Sequence, residues 1–291
     1  MYGGNAMMKE ICGLTMDEER ALYGTHGAHV VNCRFDGPAD GESALKECGD
    51  IVAENNYYNL RYPFWHNTNT LVRGGTMTSL CRAAVWYCNN ISLENVEMGG
   101  IKAVRECRGV RLSGCKVDST EFGWFCEGLS MEDCTLHSEY PFMHSSGLRF
   151  KNLQMQGKYS FQYVHDMVIE DCELDTKDAF WHGRDILVKN SVVKGEYLAW
   201  YAENITFENC RIQGTQPFCY AKNIVLKNCE MVDCDLAFEY TSVDADIKGE
   251  ILSVKNPGPG RIVADGYGEI ILDEYQWKDA RCQILTRGKD A

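Results

Sequence analysis

Tryptophan is the residue type whose placement in this chain is least random. Five of the six tryptophans, Trp65, Trp86, Trp124, Trp181 and Trp200, stand at one position of a repeating phrase. An apolar, inward residue comes ahead of nearly every member of that column, so alternation turns the column outward. Arg105 shares the column, while His144, His182 and Tyr201 flank it. Aromatic rings with polar neighbours are what a sugar-binding surface needs, because pyranose rings stack on them and hydroxyls take the hydrogen bonds. These nine residues are the candidate ligand-binding set. The same stripe would also serve as a face covered by a loop, a terminal segment or a second copy of the chain. The sequence leaves both readings open.

Paired carboxylates are the second constellation. Glu121 and Glu139 fall on neighbouring repeats near the same strand, with Lys102 and Lys158 on adjacent ones. Two carboxylates about 5 to 9 Å apart are the minimum for glycoside hydrolysis, and a lyase needs a Lys or Arg base beside a group that neutralises an acid. The competing reading is a ladder of charge pairs, since Glu139, Lys158, Lys177 and Glu196 occupy one repeat position on consecutive repeats. Metal binding is not expected. His144 and His182 share a column but lie two repeats apart, and parallel side chains do not converge on one ion at ~2 Å bond lengths. Without a Gly-rich loop between a strand and a helix, no nucleotide cofactor is expected either.

The elements that must position these residues follow from the repeat. The phrase Asn204-Ile205-Thr206-Phe207-Glu208-Asn209-Cys210-Arg211-Ile212 returns as Asn223-Ile224-Val225-Leu226-Lys227-Asn228-Cys229-Glu230-Met231. Its sixth residue recurs as Asn32, Asn55, Gly74, Asn95, Gly114, Asp133, Asn152, Asp171, Asn190, Asn209 and Asn228, settling at a spacing of 19. A fixed period of this size marks a solenoid. Ile205 and Phe207 share one strand face; beyond Asn209 the phase slips, and Cys210 and Ile212 become the apolar pair. The chain therefore turns at the marker, where Asn, Asp and Gly tolerate a left-handed backbone. A third strand carries the tryptophan column.

The predicted fold is all-β: a right-handed, single-stranded parallel β-helix of three strands per coil, about 19 residues per repeat and roughly 11–12 coils stacked ~4.8 Å apart. Residues 1–291 read as one domain, with coils over 28–252 and a C-terminal loop and last strands over 253–291. Thr15 and Glu18 have capping-box spacing and Gly24 suits a helix end, which predicts a short capping helix over 15–24.

Bulk properties bound the function. A net charge of −13 disfavours nucleic acid and anionic membranes as partners. Cys33, Cys115, Cys134, Cys172, Cys210 and Cys229 share one repeat position, a packing pattern for free thiols that points to a reducing cytoplasm. Met1 to Glu10 holds no apolar signal core.

Several longer motifs carry a resemblance beyond this general pattern. Arg61-Tyr62-Pro63-Phe64-Trp65-His66, Gly157-Lys158-Tyr159-Ser160-Phe161-Gln162-Tyr163 and Thr176-Lys177-Asp178-Ala179-Phe180-Trp181-His182 are among them. Over about residues 10 to 245 the chain resembles a bacterial domain-of-unknown-function family with a pectin-lyase-like right-handed β-helix. The resemblance implies the fold and no activity. The paired aspartates, Gly-His-Gly and Arg-Ile-Lys of a polygalacturonase-like hydrolase are absent. Three functions compete: a module binding carbohydrate along the Trp/Tyr/His face, a polysaccharide lyase or glycoside hydrolase using that face, and a noncatalytic protein that forms homo-oligomers through it.

Overall fold

The computed structural model describes residues 8–37, 42–278 and 281–288. The chain forms two compact units, Met1–Leu136 and His137–Ala291. Each is a run of parallel coils, as the period predicts. The longest strand of each coil forms one face. Among the described residues the first unit has seven such strands, from Lys9–Cys12 to Glu127–Glu132, and the second has eight, from Ser146–Lys151 to Cys282–Thr286. Together they exceed the 11–12 coils expected, because Lys9–Cys12, Val243–Lys248, Gly260–Ala264 and Cys282–Thr286 lie outside the run of corner residues from Asn32 to Asn228.

Register shows how the repeat builds height. In the second unit Ile186 pairs with Ile205 and Ile205 with Ile224, while Val188 pairs with Phe207 and Phe207 with Leu226. Each step is one repeat, so like residues stack in columns, and all six are buried. Every predicted corner residue from Asn32 to Asn228 has positive φ, for example Asn95 at 54° and Asn209 at 55°. The amides at these corners are joined: Asn209 Nδ2 donates to Asn190 Oδ1 at 3.2 Å, and Asn228 Nδ2 donates to Asn209 Oδ1. The six cysteines of the following column are buried and free. The Cys210 thiol donates to the Glu208 carbonyl at 3.3 Å.

The core of the second unit shows volume compensation. Phe142, Phe161, Phe180, Phe218 and Phe238 occupy one inward column, broken by Ala199. Phe207 from the neighbouring face fills that gap, 6.5 Å from Phe180 and 5.3 Å from Phe218 between ring centroids. Close packing of this kind leaves little space to lose.

Two expectations are corrected. Residues 15–24 form no helix: Thr15–Met16 is a strand and the rest is turn. The amides of Arg20, Leu22 and Gly24 donate to the carbonyls of Glu42, Ala44 and Lys46 on the next coil. Bonding between coils has displaced the i→i−4 bonds that the capping signals favour, so this segment is a coil side rather than a plug. The third segment also differs between units. In four coils of the first it includes a two-residue strand, Leu45–Lys46, Phe64–Trp65, Val85–Trp86 and Val104–Arg105, while the coil of Trp124 has a turn with positive φ at Glu121, Gly123 and Phe125. In the second it is a turn whose alternate residues have positive φ, as at Tyr159, Phe161 and Tyr163. Coil-to-coil bonding survives there: Phe161 N donates to Pro141 O at 3.0 Å and Tyr163 N to Trp181 O at 2.9 Å.

Candidate functional site

The turn geometry decides which side chains reach solvent. Near each coil's third corner stands a residue in left-handed backbone, and in the second unit that residue is aromatic on coil after coil. His144, Tyr163, His182, Tyr201, Tyr220 and Tyr240 have φ between 51° and 58°. Bulky side chains seldom adopt this conformation, and none of the six is β-branched, the class it would strain most. Their rings stack in order, with centroids 4.8 Å apart for His144–Tyr163, 4.9 Å for Tyr163–His182, 5.2 Å for His182–Tyr201 and 5.3 Å for Tyr201–Tyr220. Interplanar angles in these four pairs do not exceed 15°. Near-parallel rings at coil spacing cover one another's faces, so the ladder presents its edges, the imidazole nitrogens and phenol hydroxyls, to solvent. His144, Tyr163, His182 and Tyr201 are exposed.

The tryptophans stand one residue further in and are half-buried. In the second unit Trp181 and Trp200 stack at 5.5 Å with a 4° interplanar angle. Their indole N–H groups donate to the carbonyls of Tyr197 and Gln216, both at 2.8 Å. In the first unit Lys46 Nζ lies 3.9 Å over the Trp65 ring, Trp65 stacks on Trp86 at 4.9 Å, and the Arg105 guanidinium lies 5.3 Å from the centroid of Trp124. Tyr62 leans on both Trp65 and Trp86. Cations and neighbouring rings occupy these indole faces, an arrangement worth about 0.5–1 kcal/mol per cation–π contact at exposed sites. An exposed stacked pair, His66–Tyr87 at 5.1 Å, flanks this column too.

The charged candidates are in ion pairs. In the first unit Lys102 Nζ lies 3.2 Å from Glu121. In the second, Lys158 pairs with Glu139 at 2.9 Å and Lys177 with Glu196 at 2.8 Å. Hydrogen bonding to Glu139 raises the Lys158 ammonium above its ordinary pKa, and Glu196 does the same for Lys177. This is the charge-pair ladder of the sequence reading. A lysine whose ammonium is stabilised in this way has less free amine to act as a base.

Sequence reasoning brought out part of this. Of its nine ligand-binding candidates, His144, His182 and Tyr201 are in the exposed ladder, while Trp65, Trp86, Arg105, Trp124, Trp181 and Trp200 are half-buried beside such columns. Tyr163, which the repeat puts in the same flanking column although it is not one of the nine, lies between His144 and His182. Asp178 was missed. It is buried, and burial above all raises its carboxyl pKa, with Glu196 adding to the rise against the opposing Lys177. Among the described residues no three His, Cys, Asp or Glu side chains gather as a metal would require, and no helix is long and apolar enough to cross a membrane.

A tailspike protein of E. coli bacteriophage HK620, in complex with a pentasaccharide, superposes with a TM-score of 0.40 at 9% identity, covering 90% of this chain and 60% of the tailspike. The catalytic domain of a GH87 alpha-1,3-glucanase in complex with nigerose gives 0.33 at 10% identity, covering 98% of this chain and 64% of that one. A third similar structure is QnrB1, a plasmid-mediated fluoroquinolone resistance protein, at 0.19 and 11% identity, covering 77% of this chain and 92% of that one. The chain thus spans less than two thirds of the tailspike and glucanase structures. No curated protein matches the sequence. The family match is of another order, extending over residues 9–285: the chain belongs to DUF3737, a family described as protein of unknown function.

Proposed function

We propose that the second unit binds a linear polyhydroxylated chain, a carbohydrate, along the ladder from His144 through Tyr163 and His182 to Tyr201. One observation carries the reading: successive exposed ring edges repeat every 4.8–5.2 Å, each offering a hydroxyl or an imidazole nitrogen. These tips donate and accept, as sugar hydroxyls do, and a row of them meets a repeating ligand with a repeating contact. The contact is by hydrogen bonds to ring edges, since the ring faces are taken by one another. Half-buried Trp200 packs edge-on against Tyr201 and Tyr220 and helps hold them in place. Holding six aromatic residues in left-handed backbone costs on the order of 1–3 kcal/mol each, and placing ring edges in register is a return for that cost. The thirteen buried free thiols suit a reducing compartment, which supports a cytoplasmic location on this reading.

The test is calorimetric titration of the full chain with a panel of neutral and acidic oligosaccharides, repeated with a Tyr163→Phe/Tyr201→Phe double variant. Phenylalanine keeps the stacking and removes two hydroxyls. The expected result is saturable binding of at least one glycan, weakened about tenfold or more in the double variant. Failure of every glycan to bind, or equal binding by both proteins, overturns the reading.

A further inference from the structure

The second unit carries another feature that the repeat does not account for. Beyond its regular coils, Leu272, Trp277, Lys278, Arg281, Cys282 and Ile284 line a cavity of about 470 Å³. That volume lies within the ~300–1,000 Å³ range of small-molecule sites.

The walls are fixed by specific contacts. Asn256 is buried, and its Nδ2 donates to Asp273 Oδ1 at 2.7 Å while its Oδ1 accepts from Asp273 N at 3.1 Å. Asp273 Oδ1 also accepts from Tyr275 N at 2.9 Å, and the Tyr240 hydroxyl donates to the Tyr275 carbonyl at 2.9 Å. The segment leading into Trp277 is thus tied to two coils. Gly258 lets the indole seat: a Cβ at that position would stand 3.0 Å from the ring. Trp277 approaches Tyr240 with a tilt of 38° and stays 47% exposed, so it is not closed off by stacking on another indole as Trp65, Trp86, Trp181 and Trp200 are.

Charge supplies the second half of the argument. The chain carries −13 overall, and many of its lysines and arginines are in ion pairs. Lys278 and Arg281 line this cavity and pair with no carboxylate among the described residues. Cys282 adds no opposing charge, since a thiol is protonated at neutral pH and burial pushes this one further up, to about 11.

We infer that this cleft is a binding site for a small carboxylic acid carried on a ring. The ring lies against Trp277 and the apolar wall of Leu272 and Ile284, and the carboxylate faces Lys278 and Arg281. An aromatic acid and an acidic sugar share this chemistry. The ladder is not required for it.

Full-length protein is titrated calorimetrically at low salt with benzoate and with glucuronate, using benzyl alcohol and glucose as neutral counterparts. Saturable binding of one acid is expected, and which acid binds identifies the kind of ring. Its neutral counterpart should bind about tenfold more weakly or worse, and a Lys278→Ala/Arg281→Ala variant should lose about tenfold or more. Trp277→Phe should retain most of the affinity, whereas Trp277→Ala should not. The Tyr163→Phe/Tyr201→Phe variant should bind the acid as wild type does, which separates this site from the ladder. Circular dichroism reports whether each variant is folded. The inference is overturned if neither acid binds saturably at millimolar concentration, or if the double-alanine variant, folded, binds as wild type does.

Discussion

Single residues decide where the chain can turn and how closely coils approach. Gly195 has φ +141°, and a Cβ there would collide with the Thr176 carbonyl of the preceding coil. Gly195→Ala is therefore expected to cost about 2–3 kcal/mol, from backbone strain and lost close approach. Urea denaturation should show this as a lower midpoint, and an unchanged midpoint would refute it. Legibility at this scale was uneven. The Asn, Asp and Gly corners could be read directly, because few residues tolerate their backbone and they recur at a fixed spacing. The left-handed conformation of Tyr163, His182 and Tyr201 could not be read, because nothing in a tyrosine or histidine announces it.

At the level of elements, columns outweigh local propensity. Thr15, Glu18 and Gly24 carry helix signals, yet the amides of Arg20, Leu22 and Gly24 are taken by the next coil. Local preferences of a few tenths to about 1 kcal/mol yield to such a set of bonds. The phenylalanine column shows the same cooperation. Phe161 is fully buried between Phe142 at 5.3 Å and Phe180 at 4.9 Å. Phe161→Ala should cost about 3–5 kcal/mol, read from the same denaturation curves, and a loss below about 1 kcal/mol would contradict the packing described. The Lys158–Glu139 pair is half-exposed on both sides. Such pairs contribute about 0–1 kcal/mol, so Glu139→Gln should leave the midpoint almost unmoved; a drop comparable with that of Phe161→Ala would show a larger role. The alternation of apolar residues made the long strands plain. It said less about the third segment, where a two-residue strand and a turn with alternating φ bury the same columns.

For the molecule as a whole, two of the buried thiols, Cys48 and Cys172, set a pH dependence. Burial pushes Cys48 and Cys172 up to about 11 from an unfolded value near 9.0. Between these values the folded chain holds protons that the unfolded chain has released, so stability falls as pH rises. The contribution is complete below about 9 and is lost through about 11. Denaturation midpoints should decline from pH 9 to 11; a midpoint constant to pH 11 would contradict the burial of these thiols. The period of 19 residues made the stack legible across most of the chain. The cavity beside Trp277 was not legible, since it lies past the last regular phrase and its residues come together only through Asn256 and Tyr240. The ladder is the feature on which the functional account rests. Its most direct test is NMR of the His144 and His182 ring protons during titration with the oligosaccharide that binds best in calorimetry. The account predicts saturable shifts of both rings with one shared dissociation constant. Rings that stay unmoved by the whole glycan panel, or by a glycan bound to saturation, would contradict it.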